Sequence, residues 1–383
     1  MTNGRILYCG ESTGFAGGIE RFAYKTALCL RQNGWQVDWC GQQAGRSESL
    51  FRNGFDKVQT VEEVLEGDTF YDLAVLHKIP SLPVLKRLRE RFGEKLVFLA
   101  HDHDLYCPRS YYYTPFGRTN CHRACSPLRC WLCSRLISPR RWGGLRQNYM
   151  ALLRELRGHH AAVLSAFMKH NLLLNGFREE RIHSLPPVIE VPESINRAGE
   201  SKVLRILYLG QLIRGKGVDL MLQALRLVSR PWQATIVGDG NDKPMLETLA
   251  VALGIADRIQ FTGWLDDPES CFTDCDVVVF PSRWQEPFGL SGAEALAHGV
   301  PVVAFDTGGV REWLDDGHGG FVVPEKDLQA MADKLDTLAS DSALRREMGE
   351  NGRRLIRERF APECFLTAIN RLAEAVNSPE DKR

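Results

Sequence analysis

The sequence predicts an α/β chain of two doubly wound, Rossmann-like parallel-sheet domains, on three observations. The chain runs to 383 residues, which exceeds one ordinary core and suits two domains of about 150–200 residues each. Short apolar, β-branched runs such as Val277-Val278-Val279-Phe280, closed by Pro281, read as strands buried on both faces of a parallel sheet. Between such runs lie Gly-bearing loops that open helix-forming stretches, the strand–loop–helix order of α/β folds. Pro186-Pro187 and Pro192, with little apolar pattern between them, mark a linker at 189–201. An N-terminal domain is therefore expected over 1–188, a second domain over 202–360, and a last helix within 361–383.

Composition excludes several classes. The 48 basic and 48 acidic residues cancel, so no global field marks a nucleic-acid partner, and none is expected. No apolar run approaches the roughly 20 residues that cross a bilayer. The first residues enter a strand and leave no room for a signal peptide. Eleven cysteines, an odd count spread through apparent strands and helices, fit reduced thiols better than a secreted disulfide framework. A cytoplasmic protein is expected.

In the first domain Arg5–Cys9 is a strand, and the loop Gly10–Gly18 carries Gly14, Gly17 and Gly18. Ile19-Glu20-Arg21-Phe22-Ala23 opens an amphipathic helix to about Gln32, Asn33-Gly34 stops it, and Trp35–Cys40 is the next strand. Such a loop lets backbone approach a ligand. Its spacing is not the G-x-G-x-x-G of dinucleotide folds, and a plain tight turn is the simpler use. Leu73–Leu76 and Lys95–Ala100 are buried strands separated by a basic helix near Pro83–Arg91. His101-Asp102-His103-Asp104 ends the second of them, at the sheet edge where α/β ligands bind, although a lone His is more often structural. Ala161–Ser165, a short helix at Phe167–Leu174, and Ile182–Val188 complete the domain.

An insertion at about 102–142 interrupts this pattern. Cys107, Cys121, Cys125, Cys130 and Cys133 fall within 27 positions, the last four spaced Cys-x3-Cys-x4-Cys-x2-Cys. The surrounding Pro, Arg, Tyr and Gly cannot bury enough apolar surface to hold the segment. Three readings stay open: structural zinc, an iron–sulfur cluster, or unligated or redox-active thiols. From Leu105 to His160 there are ten arginines, no lysine and one acid, Glu155. Trp142, Leu145, Tyr149, Leu152 and Leu153 interleave with Arg140, Arg141, Arg146, Arg154 and Arg157. Such a stretch suits an anionic membrane surface or a phosphorylated acceptor, against the plainer reading of a solvated face.

In the second domain Val203–Gly210 is a strand, followed by Gln211-Leu212-Ile213-Arg214-Gly215-Lys216-Gly217 and a helix to about Val228. A lysine between two glycines in a strand–loop–helix turn favours phosphate. The strands Ala234–Val237 and Arg258–Thr262 end in Gly238-Asp239-Gly240 and Gly263-Trp264, and Trp264 either stacks on a ligand or packs as core. Asp276–Phe280 leads into Gln285-Glu286-Pro287-Phe288-Gly289-Leu290-Ser291-Gly292-Ala293-Glu294, with a helix at Ala293–His298 stopped by Gly299-Val300-Pro301. Val300–Phe305 is the next strand, before Asp306-Thr307-Gly308-Gly309. Beyond Asp327 the chain is mostly helical, broken near Ser340-Asp341.

Glu286 and Glu294, separated by seven residues around Pro-Phe-Gly-Leu, resemble the signature of retaining family 4 glycosyltransferases of the GT-B fold. Phe-Pro-Ser before the pair and Ala-Leu-Ala-His-Gly-Val-Pro-Val-Val-Ala after it strengthen the likeness. It spans essentially the whole chain, closely over 203–340 and loosely over 40–200. The resemblance implies two domains facing across a cleft, with a nucleoside-diphosphate sugar held mainly by the second, and a last helix (Pro362–Val376) crossing back to the first. It implies catalytic roles for Glu286, His101, Arg214 and Lys216. Glu286 would bind hydroxyls of the donor sugar, Glu294 the ribose, and the amides of Phe288, Gly289 and Leu290 the sugar and phosphate. Gly18, Gly210 and Trp264 would complete the donor site, while Gly17, Glu20 and Asp102 would face the acceptor. Gln211 stands where the family carries its first pyrophosphate-binding cation, so Arg214 is the substitute; Lys216 matches directly. Two cations and helix starts would replace a divalent ion, so no cofactor is required for the chemistry.

The expected activity is transfer of a hexose-type sugar, with retention, to a hydroxyl of a cell-envelope glycan or lipid-linked saccharide. His101 would orient the acceptor, and the acceptor proton would pass to the donor phosphate. Such an enzyme would work in the cytoplasm, on the inner face of the membrane. Two rivals stay open: a sugar-nucleotide epimerase of the same fold, and a non-catalytic, metal-holding nucleotide-binding protein.

Overall fold

The computed structural model describes residues 3–15, 17–41, 43–78, 81–108, 112–114, 119–135, 150–195, 199, 201–265 and 267–378. The chain divides into two compact units, one made of residues up to Val188 together with those from Pro362 onward, the other of Ile189–Ala361.

The first unit holds seven parallel strands: β1 (Gly4–Cys9), β2 (Trp35–Cys40), β3 (Lys57–Gln59), β4 (Leu73–Leu76), β5 (Leu96–Ala100), β6 (His160–Val163) and β7 (Ile182–Ser184). They lie in the order β3-β2-β1-β4-β5-β6-β7. Ile6, Leu7, Leu73, Ala74, Leu96 and Val97 are fully buried, as strands covered on both faces require. The helix Gly18–Gln32 buries Phe22, Ala23, Thr26, Ala27 and Leu30 along one face. The helix Pro362–Asn377 belongs to this unit; Phe365, Ile369, Leu372 and Val376 form its buried stripe. The Asn377 side-chain amide donates to the Asp72 carbonyl at 3.0 Å.

The second unit is a six-stranded parallel sheet of β8 (Leu204–Leu209), β9 (Trp232–Val237), β10 (Ile259–Gly263), β11 (Val277–Phe280), β12 (Val302–Phe305) and β13 (Gly320–Val323). Its order is β10-β9-β8-β11-β12-β13. Val277, Val302, Val303, Ala304 and Phe305 are fully buried. The helix Val218–Leu227 covers one face through Met221, Leu222, Ala224 and Leu225, and Leu328–Ser340 packs beside it through Met331, Ala332, Leu335 and Leu338.

Both sheets reverse their winding once. The chain steps from β1 outward to β3, then returns to β4 on the other side of β1; it repeats this from β8 to β10 and back to β11. At such a switch point the loops leaving adjacent strand ends diverge, and ligands of open α/β sheets bind in the opening. In the first unit that edge is served by the loops after β1, β4 and β5, in the second by those after β8 and β11.

The local reading differs from the structure in a few places. The helix after β11 runs from Leu290 to Ala297, starting three residues before the expected Ala293, because Gly289 takes a left-handed conformation (φ +99) and caps it. The structure also holds β3, β13 and the helices Glu48–Asn53 and Val61–Glu66, for which the sequence carried no expectation.

Leu222 tests the packing of the second sheet, since it is fully buried in the core that includes β8 and β11. Leu222→Ala is expected to destabilise the second unit by about 2–5 kcal/mol, seen as a lower urea midpoint in equilibrium unfolding. A change below about 0.5 kcal/mol would contradict this placement.

Candidate functional site

In the second unit, two loops separated by about seventy positions in sequence meet at the switch point. The Lys216 ammonium donates to both oxygens of Glu286, at 2.8 and 3.0 Å, and the Ser282 hydroxyl donates to Glu286 Oε1 at 2.6 Å. Glu286 is buried. Its backbone carbonyl accepts from the Gly309 N–H at 2.7 Å, so the turn after β12 also closes on it. Two glycines make these approaches sterically possible. A β-carbon on Gly217 (φ +71) would lie 2.0 Å from the Pro281 carbonyl oxygen, and one on Gly308 (φ +61) would lie 2.2 Å from that of Glu286.

Arg214, in the same loop as Lys216, is more than half exposed and faces Asp219 at 3.8 Å. Asp219 accepts a charge-assisted hydrogen bond from the buried guanidinium of Arg283, three residues before Glu286. The basic loop and the acidic loop are thus tied a second time through a buried ion pair. Phe288 is buried, with its carbonyl accepting from Trp313 Nε1 at 2.6 Å. Gly289 and Leu290 open the helix, whose first amides favour anions. Glu294 lies one turn further in, half-buried. Gly210 follows β8 directly, and Trp264 follows the edge strand β10, two strands away from β8. The structure therefore brings Glu286 and Lys216 into contact, sets Arg214 beside them through Asp219 and Arg283, and leaves Trp264 at the far strand of the same edge.

The corresponding edge of the first unit carries different chemistry. His77, after β4, and His101, after β5, meet through Nδ1 and Nε2 at 2.9 Å. Burial, helped by neighbouring His101, holds the His77 ring well below the usual histidine range. Burial and the Lys78 ammonium bring His101 down to about 3. Both rings are neutral at physiological pH. Lys78 donates to Asp102 at 2.9 Å and also to Asp104. Burial opposes the charge on Lys78, but the two carboxylates outweigh it and raise its pKa; burial and the neighbouring Asp104 raise that of Asp102. Glu20 has a local use: its carboxylate accepts from the Gly17 N–H at 2.9 Å, closing the start of its own helix. Gly18, beside it, has open space where a β-carbon would be.

His77, Lys78, Asp219, Ser282 and Arg283 were not singled out from sequence. The available signal was position alone: each stands at or just beyond a strand end, or in the first turn after a basic loop.

The cysteine segment is anchored to the first unit. Cys107, Cys121 and Cys125 pack against its core, the Cys107 N–H donates to the His103 carbonyl at 2.7 Å, and the Cys125 N–H donates to Asn175 Oδ1 at 2.7 Å. Among the described residues, which include Cys107, Cys121, Cys125, Cys130 and Cys133, no group of three or more His, Cys, Asp or Glu is placed to hold a metal ion. Two of these thiols pair. Cys125 and Cys130 share a hydrogen bond, and the Ser126 N–H approaches Cys130 Sγ at 3.3 Å. Of the basic stretch, Arg140, Arg141, Trp142, Leu145, Arg146 and Tyr149 lie outside the described residues. Leu153 is buried in the core and Leu152 packs against it. Among the described residues no helix is long and apolar enough to cross a membrane.

Comparison with known proteins gives this geometry a context. Residues 191–355 match the family model of glycosyl transferases group 1, so the second unit carries a domain of that class. The chain is 36% identical over 151 residues to an alpha-D-kanosaminyltransferase of Streptomyces kanamyceticus, covering 38% of this chain and 39% of that protein. It is 28% identical over 167 residues to the lipopolysaccharide core biosynthesis glycosyltransferase LpsE of Rhizobium meliloti, covering 44% and 48%. The matches thus span less than half the length of these two relatives. A longer match, 25% identical over 322 residues and covering 82% and 81%, is to the glycosyltransferase YqgM of Bacillus subtilis. Among solved structures, HepE of Anabaena in complex with UDP and glucose superposes with a TM-score of 0.75 at 18% identity, covering 97% of this chain and all of that one. WaaG, a glycosyltransferase involved in lipopolysaccharide biosynthesis, superposes at 0.70 and 18%, covering 97% and all of its chain. The fold is that of these glycosyltransferases, two Rossmann-like parallel-sheet units.

The thiol pair generates a prediction. Its hydrogen bond from Cys125 lowers Cys130 to about 6, against the effect of burial, while the same bond raises Cys125. Because the thiolate is the nucleophile, Cys130 should alkylate with iodoacetamide faster than Cys125 or Cys121 at pH 7, its rate levelling off above that pH. Peptide mapping by mass spectrometry reads this. Protection of all these thiols that is lifted by a chelator would show instead that metal holds them.

Proposed function

We propose that this protein is a retaining glycosyltransferase, moving a hexose-type sugar from a nucleoside diphosphate to a hydroxyl of a cell-envelope glycan or lipid-linked saccharide. The observation that carries the reading is the contact of Lys216 with Glu286 at the switch point of the second sheet. An ammonium and a carboxylate held together there offer complementary partners to one kind of ligand. Its phosphate oxygens take hydrogen bonds from the lysine, and its sugar hydroxyls donate to the glutamate. A sugar linked through its anomeric carbon to a diphosphate carries both groups next to each other.

In this reading Lys216 and Arg214 stabilise the charge that grows on the leaving diphosphate. The anomeric C–O bond to phosphate breaks, a new C–O bond to the acceptor forms on the same face, and the acceptor proton passes to a phosphate oxygen. Charge-assisted hydrogen bonds of this kind contribute roughly 1.5–3 kcal/mol each. Glu286 orients the sugar, Glu294 the ribose, and the amides of Phe288, Gly289 and Leu290 the phosphate and sugar oxygens. No divalent ion is assigned to the chemistry, because the two cations and the helix start supply the positive field. His101 and Asp102, at the edge of the first sheet, are assigned to the acceptor. The glycan class rests on LpsE and WaaG, both named for lipopolysaccharide biosynthesis. UDP as the carrier rests on the HepE complexes.

The test is a panel of sugar nucleotides with and without acceptor glycans. Transfer is expected with at least one donor, and Glu286→Ala and Lys216→Ala are each expected to lower it on the order of a hundredfold with the fold intact. Near-normal turnover in either variant removes the site assignment. Conversion of the donor without any acceptor would favour an epimerase, and nucleotide binding without turnover a non-catalytic protein. We also assign the arginine-rich segment to an anionic membrane surface. Flotation with liposomes is expected to depend on anionic lipid and to weaken with salt; salt-insensitive binding, or none, counts against it.

A further inference from the structure

We infer that His77 is a positioning residue which fixes the protonated nitrogen of His101, so that His101 meets the acceptor as a hydrogen-bond donor and not as a base. The inference rests on the glycosyl-transfer reading and extends it to a residue that the sequence motifs do not mark.

The geometry of the pair comes first. His77 Nδ1 and His101 Nε2 are 2.9 Å apart, the ring planes are inclined by 21°, and the centroids are 5.1 Å apart. The two imidazoles therefore meet edge to edge, close to a common plane, with N–H and lone pair aligned. Both rings are neutral, so one nitrogen of the contact carries a proton and the other accepts. Which one is decided at the far side of His77. Its Nε2 is buried with no hydrogen-bond partner among the described residues, and the rings of Tyr8, Phe22 and Trp39 surround the imidazole.

If His101 donated from Nε2, His77 would accept at Nδ1 and carry its own proton on Nε2, stranding an N–H donor in the core. Orphaned buried N–H groups are rarer than under-satisfied acceptors, and a buried donor without a partner bears its full desolvation cost. The opposite arrangement leaves only a lone pair without a partner. His77 accordingly holds its proton on Nδ1 and donates it to His101 Nε2. His101 then carries its proton on Nδ1 and has no second lone pair to offer.

A ring in that state can hold the oxygen of an acceptor hydroxyl through Nδ1–H. It cannot take the hydroxyl proton, because its one basic nitrogen is engaged by His77. The proton is left to the leaving phosphate, and the role of His101 becomes orientation. His77 touches neither donor nor acceptor in this account; it acts through His101 alone.

The experiment uses full-length protein labelled with 15N-histidine. Long-range 1H–15N correlation spectra report the protonated nitrogen of each ring without any turnover. His101 is expected as the Nδ1–H form in the wild type and in His77→Asn, whose side-chain amide can donate to the same nitrogen, and as a mixture of forms in His77→Leu. Transfer assays are expected to show kcat about tenfold lower in His77→Leu, with donor KM unchanged, and recovery in His77→Asn. A wild-type His101 protonated on Nε2 overturns the inference, as does equal transfer by the Leu and Asn variants. Should the wild type turn over no sugar nucleotide, the glycosyl-transfer reading fails, while the spectra still decide the assignment of the tautomer.

Discussion

The ion pair between Lys216 and Glu286 binds the loop after β8 to the loop after β11 at the centre of the second sheet. A buried carboxylate is costly unless its lone pairs are met, and here Lys216 and the Ser282 hydroxyl meet them. The pair can form only because the two loops touch, and Gly217 lets them touch, while Gly308 lets the turn after β12 close on Glu286 as well. The buried Arg283–Asp219 pair repeats the tie a few residues away. Charge, hydrogen bonding and backbone approach therefore depend on one another, and a change in any of them would disturb the others.

The first sheet uses the same topological device with a different set of groups. Its switch-point edge holds two neutral imidazoles and a lysine between two aspartates. Aromatic rings enclose the histidines, which keeps them uncharged, whereas the lysine and the aspartates are partly exposed. The second edge thus presents an ammonium and a carboxylate in contact, with a second, buried ion pair behind them. The first presents two neutral imidazoles beside a lysine paired with two carboxylates. One winding pattern supports both because the fold supplies only the opening, and the side chains supply the chemistry.

Strands were legible where an unbroken apolar run announced burial on both faces. β4 and β11 are such runs, and the expected bounds fell within a residue of those observed. β3 escaped notice because it is a three-residue edge strand beginning with an exposed lysine, and β13 because it opens on glycine. Both lie at the margin of their sheets, where pairing on one side only demands little of the sequence. The cysteine spacing left zinc, an iron–sulfur cluster and unligated thiols open; in the fold Cys125 and Cys130 share a hydrogen bond, and no group of three or more ligating side chains is placed for a metal among the described residues. Glu20, expected to face an acceptor, also closes its own helix start through its carboxylate, a local use that the sequence reading did not include.

The order of residues along the chain was enough to reveal two α/β domains, the glycine-flanked lysine and the paired glutamates, since burial and helix capping leave local patterns. Which loops become neighbours was settled only by folding. Lys216 and Glu286 stand seventy positions apart, His77 and His101 twenty-four, and no periodicity records such a meeting. Strand order is set by packing over the whole sheet. It was strand order that placed ammonium against carboxylate in one unit and imidazole against imidazole in the other.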